Sequence, residues 1–173
     1  NTGRFMDKES EGAIGTVGNL TQSLEVTGDN SIGVLVTDKS KLQMNGDIKV
    51  IGNGNFGIVA NNGEITLNSG TVHVYNTVAG NKVSSDKITE TIGLSSAEKG
   101  TYGIIVKGAN AKFDGTGADV NIKVKSDKSV GLYSEGELII NTSDITAEDG
   151  AFNFYTNNGI IEIKNGGTAE TGE

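Results

Sequence analysis

Short apolar segments separated by Asn and Gly are the feature that most limits how this chain can fold. The stretch Phe56–Tyr75 contains three of them, FGIVA, EITL and TVHVY, divided at Asn61–Gly63 and Asn68–Gly70. Apolar residues recur there at every second position, which is the side-chain period of a β-strand rather than a helix. Asn and Gly tolerate the left-handed backbone of a sharp corner. The pattern therefore predicts three strands joined by tight corners.

The same pattern recurs along the chain and marks a structural repeat. The first strand of each repeat carries a small residue at its second position: Gly33, Gly57, Gly103, Gly131 and Asn153. These positions are roughly 22–28 residues apart, except for one step of about twice that length, and such spacing is typical of solenoids. Three strands per period predict a right-handed three-sided parallel β-helix with about 22–28 residues per coil.

The period also divides the chain into regions. Residues 1–30 are irregular and predict an imperfect first coil, whereas 31–167 carry the repeats. We expect the tail at 168–173 to continue into a longer chain. The long step leaves about 22 extra residues within 76–100, rich in Ser, Thr, Lys and Glu, and insertions in solenoids form loops. We expect a projecting loop there, with a degenerate coil as the alternative.

Stacked coils place equivalent side chains in columns along the axis. An Asn ladder at the corner between the second and third strands is predicted from Asn45, Asn68 and Asn141, with Asp114 in the same slot. A mixed outward column on the second face is predicted from Gln43, Thr66, Ile139 and Glu162. A solvated outward column on the third face is predicted from Lys49, His73, Lys123 and Thr146. We therefore interpret His73, the single histidine, as a surface residue rather than a ligand or a base.

The first face is apolar on both sides. The alternation places these residues inside: Ile32, Val34, Phe56, Ile58, Tyr102, Ile104, Val130, Leu132, Phe152 and Phe154. The outward column, which is the candidate binding surface, is then Leu35, Val59, Ile105, Tyr133 and Tyr155. A monomer rarely exposes a contiguous apolar strip of that size. Either the 76–100 segment covers it or it binds another molecule, and the exposure of Tyr133 and Tyr155 distinguishes the two.

Composition excludes several classes of protein. The chain has 173 residues, 14 basic and 22 acidic, with a net charge of −8. This charge argues against nucleic acid and anionic membranes as partners, because both need Lys and Arg to neutralise phosphate. Cysteine is absent, so no disulfide framework or thiol chemistry is expected. No apolar run is long enough to span a bilayer as a helix.

The sequence motifs that could indicate cofactor binding, metal binding or catalysis are weak. Gly52–Gly57 matches a dinucleotide-binding glycine pattern, but a strand follows it where a helix is required. The segment Asp114–Asp119 is faintly similar to calcium-binding Gly/Asp repeats, which act only as tandem copies. The acidic residues of the later coils are scattered: Glu135, Glu137, Asp144, Glu148 and Asp149. We therefore expect no catalytic site, no cofactor and no metal.

Three segments carry a family resemblance: Asn61–Leu67 (NNGEITL), Tyr102–Val106 (YGIIV) and Val130–Ser134 (VGLYS). They resemble the passenger domains of autotransporter (type V secreted) adhesins of Gram-negative bacteria, over about Ile32 to Gly167. The absence of Cys and Pro is consistent with a chain that crosses an outer-membrane pore unfolded.

The resemblance implies a secreted, virulence-associated adhesin rod at the bacterial cell surface. Its partner would be a protein or glycan on host cells or other bacteria, and it would be attached to the outer membrane through parts of a longer chain. A non-catalytic adhesin segment is therefore the expected function. A β-helical polysaccharide-active enzyme and a passive structural spacer are the alternatives, and carboxylates converging around a groove would favour the enzyme.

Overall fold

The computed structural model describes residues 5–6, 17–76, 100–125 and 129–171. The strands in these ranges, in chain order, are β1 (Phe5–Met6), β2 (Val17–Leu20), β3 (Leu24–Thr27), β4 (Ile32–Thr37), β5 (Lys41–Asn45), β6 (Ile48–Ile51), β7 (Phe56–Asn61), β8 (Glu64–Ser69), β9 (Thr71–Tyr75), β10 (Tyr102–Lys107), β11 (Lys112–Lys125), β12 (Val130–Ser134), β13 (Glu137–Glu148), β14 (Phe152–Thr156), β15 (Ile160–Ile163) and β16 (Gly167–Thr171). These ranges contain no helix, and so no helical segment within them could cross a membrane.

Every strand pair within the described ranges is parallel, and the chain winds as a β-solenoid of about five turns. The first face is a six-stranded sheet in the order β1-β4-β7-β10-β12-β14. The second and third faces form one ten-stranded sheet, because β11 and β13 run without a break across the corner between them. Each turn thus contributes one stretch of strand to each of three faces. The predicted three-sided parallel β-helix is confirmed.

The core is a stack of apolar columns along the axis. Inward residues of one coil lie in register with those of the next: Val34 with Ile58, Leu42 with Ile65, and Val50 with Val74. All six are buried in one continuous cluster. A single coil could not enclose such a core, so each coil depends on its neighbours for burial.

The repeated glycines form an aligned column inside the first face. A Cβ atom added to Gly57 would lie less than 3.0 Å from the carbonyl oxygen of Gly103 and from a methyl group of Val74. Gly33 has the same relation to Gly57 and Val50. The requirement is therefore steric, because backbone and third-face side chains leave no space for even a methyl group. The predicted alignment of these glycines is confirmed.

The glycine column also changes which residues point inward. Gly33 faces the core beside Val50, and the next residue, Val34, belongs to the core as well. Two consecutive inward positions break the alternation, so the residue before the glycine lies outside. The prediction that Ile32, Phe56, Tyr102 and Val130 point inward is wrong: they form a second buried cluster with Leu35, Val59, Ile105 and Tyr133.

The predicted Asn ladder is also wrong. The register shifts between Met44 and Asn45, which places Asn45 opposite Ser69 instead of Asn68. Asp114 lies opposite Thr66 and Ile139, on the second face rather than at the corner.

One Asn pair does form between coils, because Asn165 donates a side-chain hydrogen bond to Asn141. The second-face column itself is confirmed. Gln43 pairs with Thr66 and Ile139 with Glu162, and Asp114 joins the two pairs.

A buried polar ladder lies at a different corner, directly before β4, β7, β10 and β12. Its members are Ser31, Asn55, Thr101 and Ser129, all buried. The Asn55 side chain accepts a hydrogen bond from Ser31 N at 2.8 Å and donates to the Gly28 carbonyl at 2.7 Å. Ser129 Oγ accepts from Thr101 N at 3.0 Å. The ladder satisfies backbone groups at a turn that water does not reach.

The predicted insertion at 76–100 lies outside the described residues, apart from its two end residues. Asn76 is buried at the end of β9. Its amide accepts a hydrogen bond from Lys125 N at 2.6 Å and donates one to the Lys125 carbonyl at 2.7 Å. The chain is therefore held in register with the next coil at the point where it leaves β9.

Gly57→Ala tests the steric role of the glycine column. We expect it to lower the free energy of unfolding by about 2–4 kcal/mol, since the clash involves backbone of the adjacent coil. Gly166→Ala is the matched control, because Gly166 has a φ of +79° but open space around its Cβ position. It should cost only about 1 kcal/mol. Urea unfolding monitored by circular dichroism measures both, and equal losses would contradict the steric explanation.

Candidate binding surface

The predicted binding column is divided by its exposure. Leu35, Val59, Ile105 and Tyr133 are buried, and Tyr133 has only 2% of its surface exposed. Tyr155, the last member, is 46% exposed. Buried side chains cannot contact a partner in this conformation. The candidate surface is therefore reduced to the part of the column that lies in the last coil.

An aromatic series leads to that exposed end. Tyr102 packs edge-on against Phe56 and Tyr133, with ring centroids 5.2 and 6.1 Å apart. Tyr133 then stacks on Tyr155 at 5.6 Å with an interplanar angle of 4°. Phe152 meets Tyr155 edge-on at 6.4 Å. Both geometries are favourable for aromatic rings, so the buried rings hold the exposed pair in place.

Glu135 anchors the last buried ring of this series. The Tyr133 hydroxyl donates a hydrogen bond to Glu135 Oε1 at 2.7 Å, and Gly108 N donates to Oε2 at 3.0 Å. Lys107 Nζ lies 3.3 Å from Oε1. Burial alone would raise the pKa of Glu135, but these two hydrogen bonds and the Lys107 charge outweigh it and hold the pKa below its ordinary value.

Carboxylates on the outer surface pair with lysines of the adjacent coil. The pairs are Lys41–Glu64, Lys49–Glu25, Lys107–Glu135, Lys112–Glu137, and Glu148 with both Lys123 and Lys125. The hydrogen bonds from Lys123 and Lys125 lower the pKa of Glu148. Three of the six contacts, Lys41–Glu64, Lys49–Glu25 and Lys112–Glu137, are exposed at both partners and contribute little individually. Across the described ranges, no three His, Cys, Asp or Glu residues come together as a metal site would require.

A groove at strands β11 and β13 is lined by Asp119, Val120, Asn121, Ser143 and Asp144. Its volume is about 250 Å³. Ser143 is buried in register with Val120, whereas Asp144 is exposed in register with Asn121. The Ser143 hydroxyl and the Asp144 carboxylate therefore lie on opposite sides of the sheet and do not converge on one ligand.

His73 lies on the third face, as predicted, but in a different column. It is in register with Lys49 and Asn121, whereas Lys123 pairs with Tyr75 and Thr146. The predicted column of Lys49, His73, Lys123 and Thr146 is thus wrong from Lys123 onward. His73 Nδ1 lies 2.8 Å from the Tyr75 hydroxyl. Burial, with the nearby Asp144 charge, raises the pKa of that hydroxyl.

Sequence reasoning missed two features that shape the surface. The first is the set of contacts made by Glu135, which reach Tyr133 in its own coil and Lys107 and Gly108 in the preceding coil. No sequence motif marks these residues. The second is Phe152, which strict alternation places inside but which is exposed. The repeat itself could have predicted the outward position of Phe152. Phe152 precedes Asn153 as Ile32 precedes Gly33, and the residue before the glycine position lies outside.

Comparison with protein-family models, with curated proteins and with solved structures found no match to this chain.

Glu135→Gln tests the anchoring contacts through pH. A lowered folded-state pKa contributes stability above the unfolded value of about 4.5, and this contribution is lost as the pH falls through the folded pKa. We expect the native protein to exceed the variant in unfolding free energy at pH 7, and the difference to shrink between about pH 5 and pH 3.

Urea unfolding at several pH values measures the difference between the two proteins. Tyr133→Phe, which keeps the ring but removes the hydroxyl donor, should show part of the same pH dependence. A stability difference that stays constant across the pH range would contradict the role of Glu135.

Proposed function

We propose that this chain is a non-catalytic rod segment of a cell-surface adhesin, of the autotransporter passenger type found in Gram-negative bacteria. The observation that carries the proposal is the use of surface charge along the solenoid. Five Glu residues of the described coils, Glu25, Glu64, Glu135, Glu137 and Glu148, pair with Lys residues one coil away, instead of converging around a groove as polysaccharide cleavage requires. Charges arranged in this way join adjacent coils. This arrangement supports a structural or binding role rather than a catalytic one.

The partner we propose is a protein or glycan on host cells or on other bacteria. The exposed rings of Tyr155 and Phe152 are the parts of the apolar first face that such a partner could reach. Aromatic side chains contribute large contact areas at a low cost in side-chain entropy and are enriched where binding energy is concentrated. The net charge of −8 disfavours nucleic acid and anionic membranes as partners.

A passive spacer is the second candidate, and one observation favours it. Four of the five residues of the candidate binding column are buried, so little of the first face is accessible. A rod of this kind would hold another part of a longer chain away from the cell. Spacer and binder share the same fold and differ only in whether the surface recognises a ligand.

Binding of the purified chain to host epithelial cells and to a glycan array tests the proposal. We expect saturable binding that falls at least about tenfold in Tyr155→Ala, as for a hot-spot residue. Gln43→Ala, a substitution at an exposed position on the second face, is the matched control and should bind like the native chain.

Each outcome of this experiment assigns a different role. Binding that is unaffected by Tyr155→Ala would remove the aromatic pair from the proposed interface. Absence of binding to every cell and glycan would favour the spacer. Shortening of a polysaccharide during incubation would contradict a non-catalytic role and favour the enzyme.

A further inference from the structure

Asn–Gly pairs occur five times in the chain, beginning at Asn45, Asn53, Asn62, Asn158 and Asn165. All five lie within the described ranges. An Asn followed by Gly is chemically reactive, because the backbone nitrogen of the next residue attacks the side-chain amide and glycine has no Cβ to hinder the approach. The hydrogen bonds of each pair therefore determine which of them reacts in the folded protein.

In two of the pairs, those at Gly46 and Gly54, the attacking nitrogen is engaged. Gly46 N donates a hydrogen bond to the Ser69 carbonyl at 3.2 Å. Gly54 N donates one to Thr101 Oγ1 at 3.0 Å. Each bond must break before the nitrogen can attack, so reaction at these two pairs carries an additional cost.

The pair at Asn165 is restrained through its side chain. The Asn165 amide donates a hydrogen bond to Asn141 of the preceding coil. This bond holds the group that must be attacked, and so Asn165 is not among the reactive sites.

Asn62 and Asn158 occupy the same corner of their coils, between the first and second faces. In each case the residue two positions later begins the second-face strand, β8 or β15. Both Asn residues are exposed and have left-handed backbone, with φ angles of 54° and 61°. The corner is thus the same structure in an interior coil, which has neighbours on both sides, and in the last described coil.

The attacking nitrogen at this corner is not engaged. Within the described part of the chain, neither Gly63 N nor Gly159 N donates a hydrogen bond. The Asn62 side chain makes none there either, and the Asn158 amide makes only a long one of 3.4 Å to Asn157 Oδ1. Both reacting groups are therefore available at this corner.

We propose that Asn62 and Asn158 are sites of spontaneous deamidation in the folded protein. The nitrogen of the following glycine loses its proton to hydroxide and forms a bond to the Asn Cγ atom. The Cγ–Nδ2 bond breaks, and Nδ2 leaves as ammonia after taking a proton from water. Water then opens the cyclic imide at either carbonyl, which gives Asp or isoaspartate. The net reaction consumes water and releases ammonia, with no oxidation or reduction.

The products change the corner at Asn62. Each adds a negative charge to a chain whose net charge is already −8. Isoaspartate also routes the backbone through the side chain and so lengthens it by a carbon atom. Asn62 N donates to the Lys107 carbonyl at 2.9 Å, and its own carbonyl accepts from Lys39 N at 2.8 Å. A lengthened backbone cannot keep both contacts, so conversion to isoaspartate weakens the stack. The inference is independent of the proposed adhesin function.

Peptide mapping by tandem mass spectrometry, after incubation of the folded chain at mildly alkaline pH, is the first test. We expect Asn62 and Asn158 to convert roughly three- to tenfold faster than Asn45 and Asn53, since those two pairs must first break a hydrogen bond. Both fast rates should rise with pH, because the nitrogen attacks in its deprotonated form. Conversion at Asn62 that is no faster than at Asn45 would overturn the proposal.

Thr101→Val tests whether the hydrogen bond on the attacking nitrogen determines the rate. The variant removes the acceptor of Gly54 N with little change in volume, so Asn53 should deamidate about three- to tenfold faster than in the native chain. Asn62 in the same molecule is the internal control, and its rate should not change. An unchanged rate at Asn53, or an equal increase at both positions, would contradict selection of the sites by hydrogen bonding.

A blocked variant tests the same sites without depending on the fold of Thr101→Val. Asn62→Gly with Asn158→Gly removes both reactive amides, and glycine adopts the left-handed backbone of this corner without strain. Circular dichroism verifies that the variant is folded. During the same incubation the native chain should release more ammonia than the variant and should lose unfolding free energy that the variant keeps. Equal release of ammonia by the two proteins would overturn the proposal.

Discussion

The close approach between the first face and the side chains of the third face is the constraint on which the rest of this structure depends. At Gly33, Gly57 and Gly103 the space that a Cβ atom would need is occupied by backbone of the next coil and by a core side chain. Because the glycine occupies an inward position and the residue after it also points inward, the residue before it is placed outside. The second apolar cluster, which includes Phe56 and Tyr102, exists for this reason. A steric requirement inside the coil therefore determines the chemistry of its outer surface.

Contacts between adjacent coils explain how the stack is held in register. The buried ladder that includes Asn55 and Ser129 satisfies backbone groups at one corner, and ion pairs such as Lys112–Glu137 join coils on the outer faces. Both kinds of contact run along the axis, so their number increases with the number of coils. In the last described coil, Phe154 and Tyr155 are exposed.

The fold could be predicted from the sequence because it is encoded locally and repeatedly. Alternation, corner residues and the glycine spacing identified the strands of every regular coil and the alignment of Gly57 with Gly103.

The errors in the sequence-based predictions have physical causes. Strict alternation through Gly33 predicts Ile32 inside, but the close approach at the glycine interrupts the alternation there. The Asn ladder failed because a register shift follows Met44. The His73 column failed because β11 pairs with β9 in a register that places Asn121, not Lys123, opposite His73. The sequence does not predict the buried polar ladder, because Ser, Asn and Thr occupy equivalent positions in it and no one residue type marks all four. The exposure of the candidate binding column could not be predicted. It depends on which residues pack over the first face, and no local sequence pattern indicates that packing.

Distances between spin labels along one column test the central claim, that coils are stacked in parallel and in register, most directly. The chain lacks cysteine, so labels can be placed on Gln43→Cys combined with Ile139→Cys or with Glu162→Cys. These positions lie in one second-face column, three and four coils apart. Coils spaced by one strand separation predict backbone distances of about 14 and about 19 Å, a difference of one coil. Pulsed electron paramagnetic resonance should give two narrow distributions that differ by about 5 Å. Equal distances, or a longer distance for the Ile139 pair, would contradict the stacked arrangement.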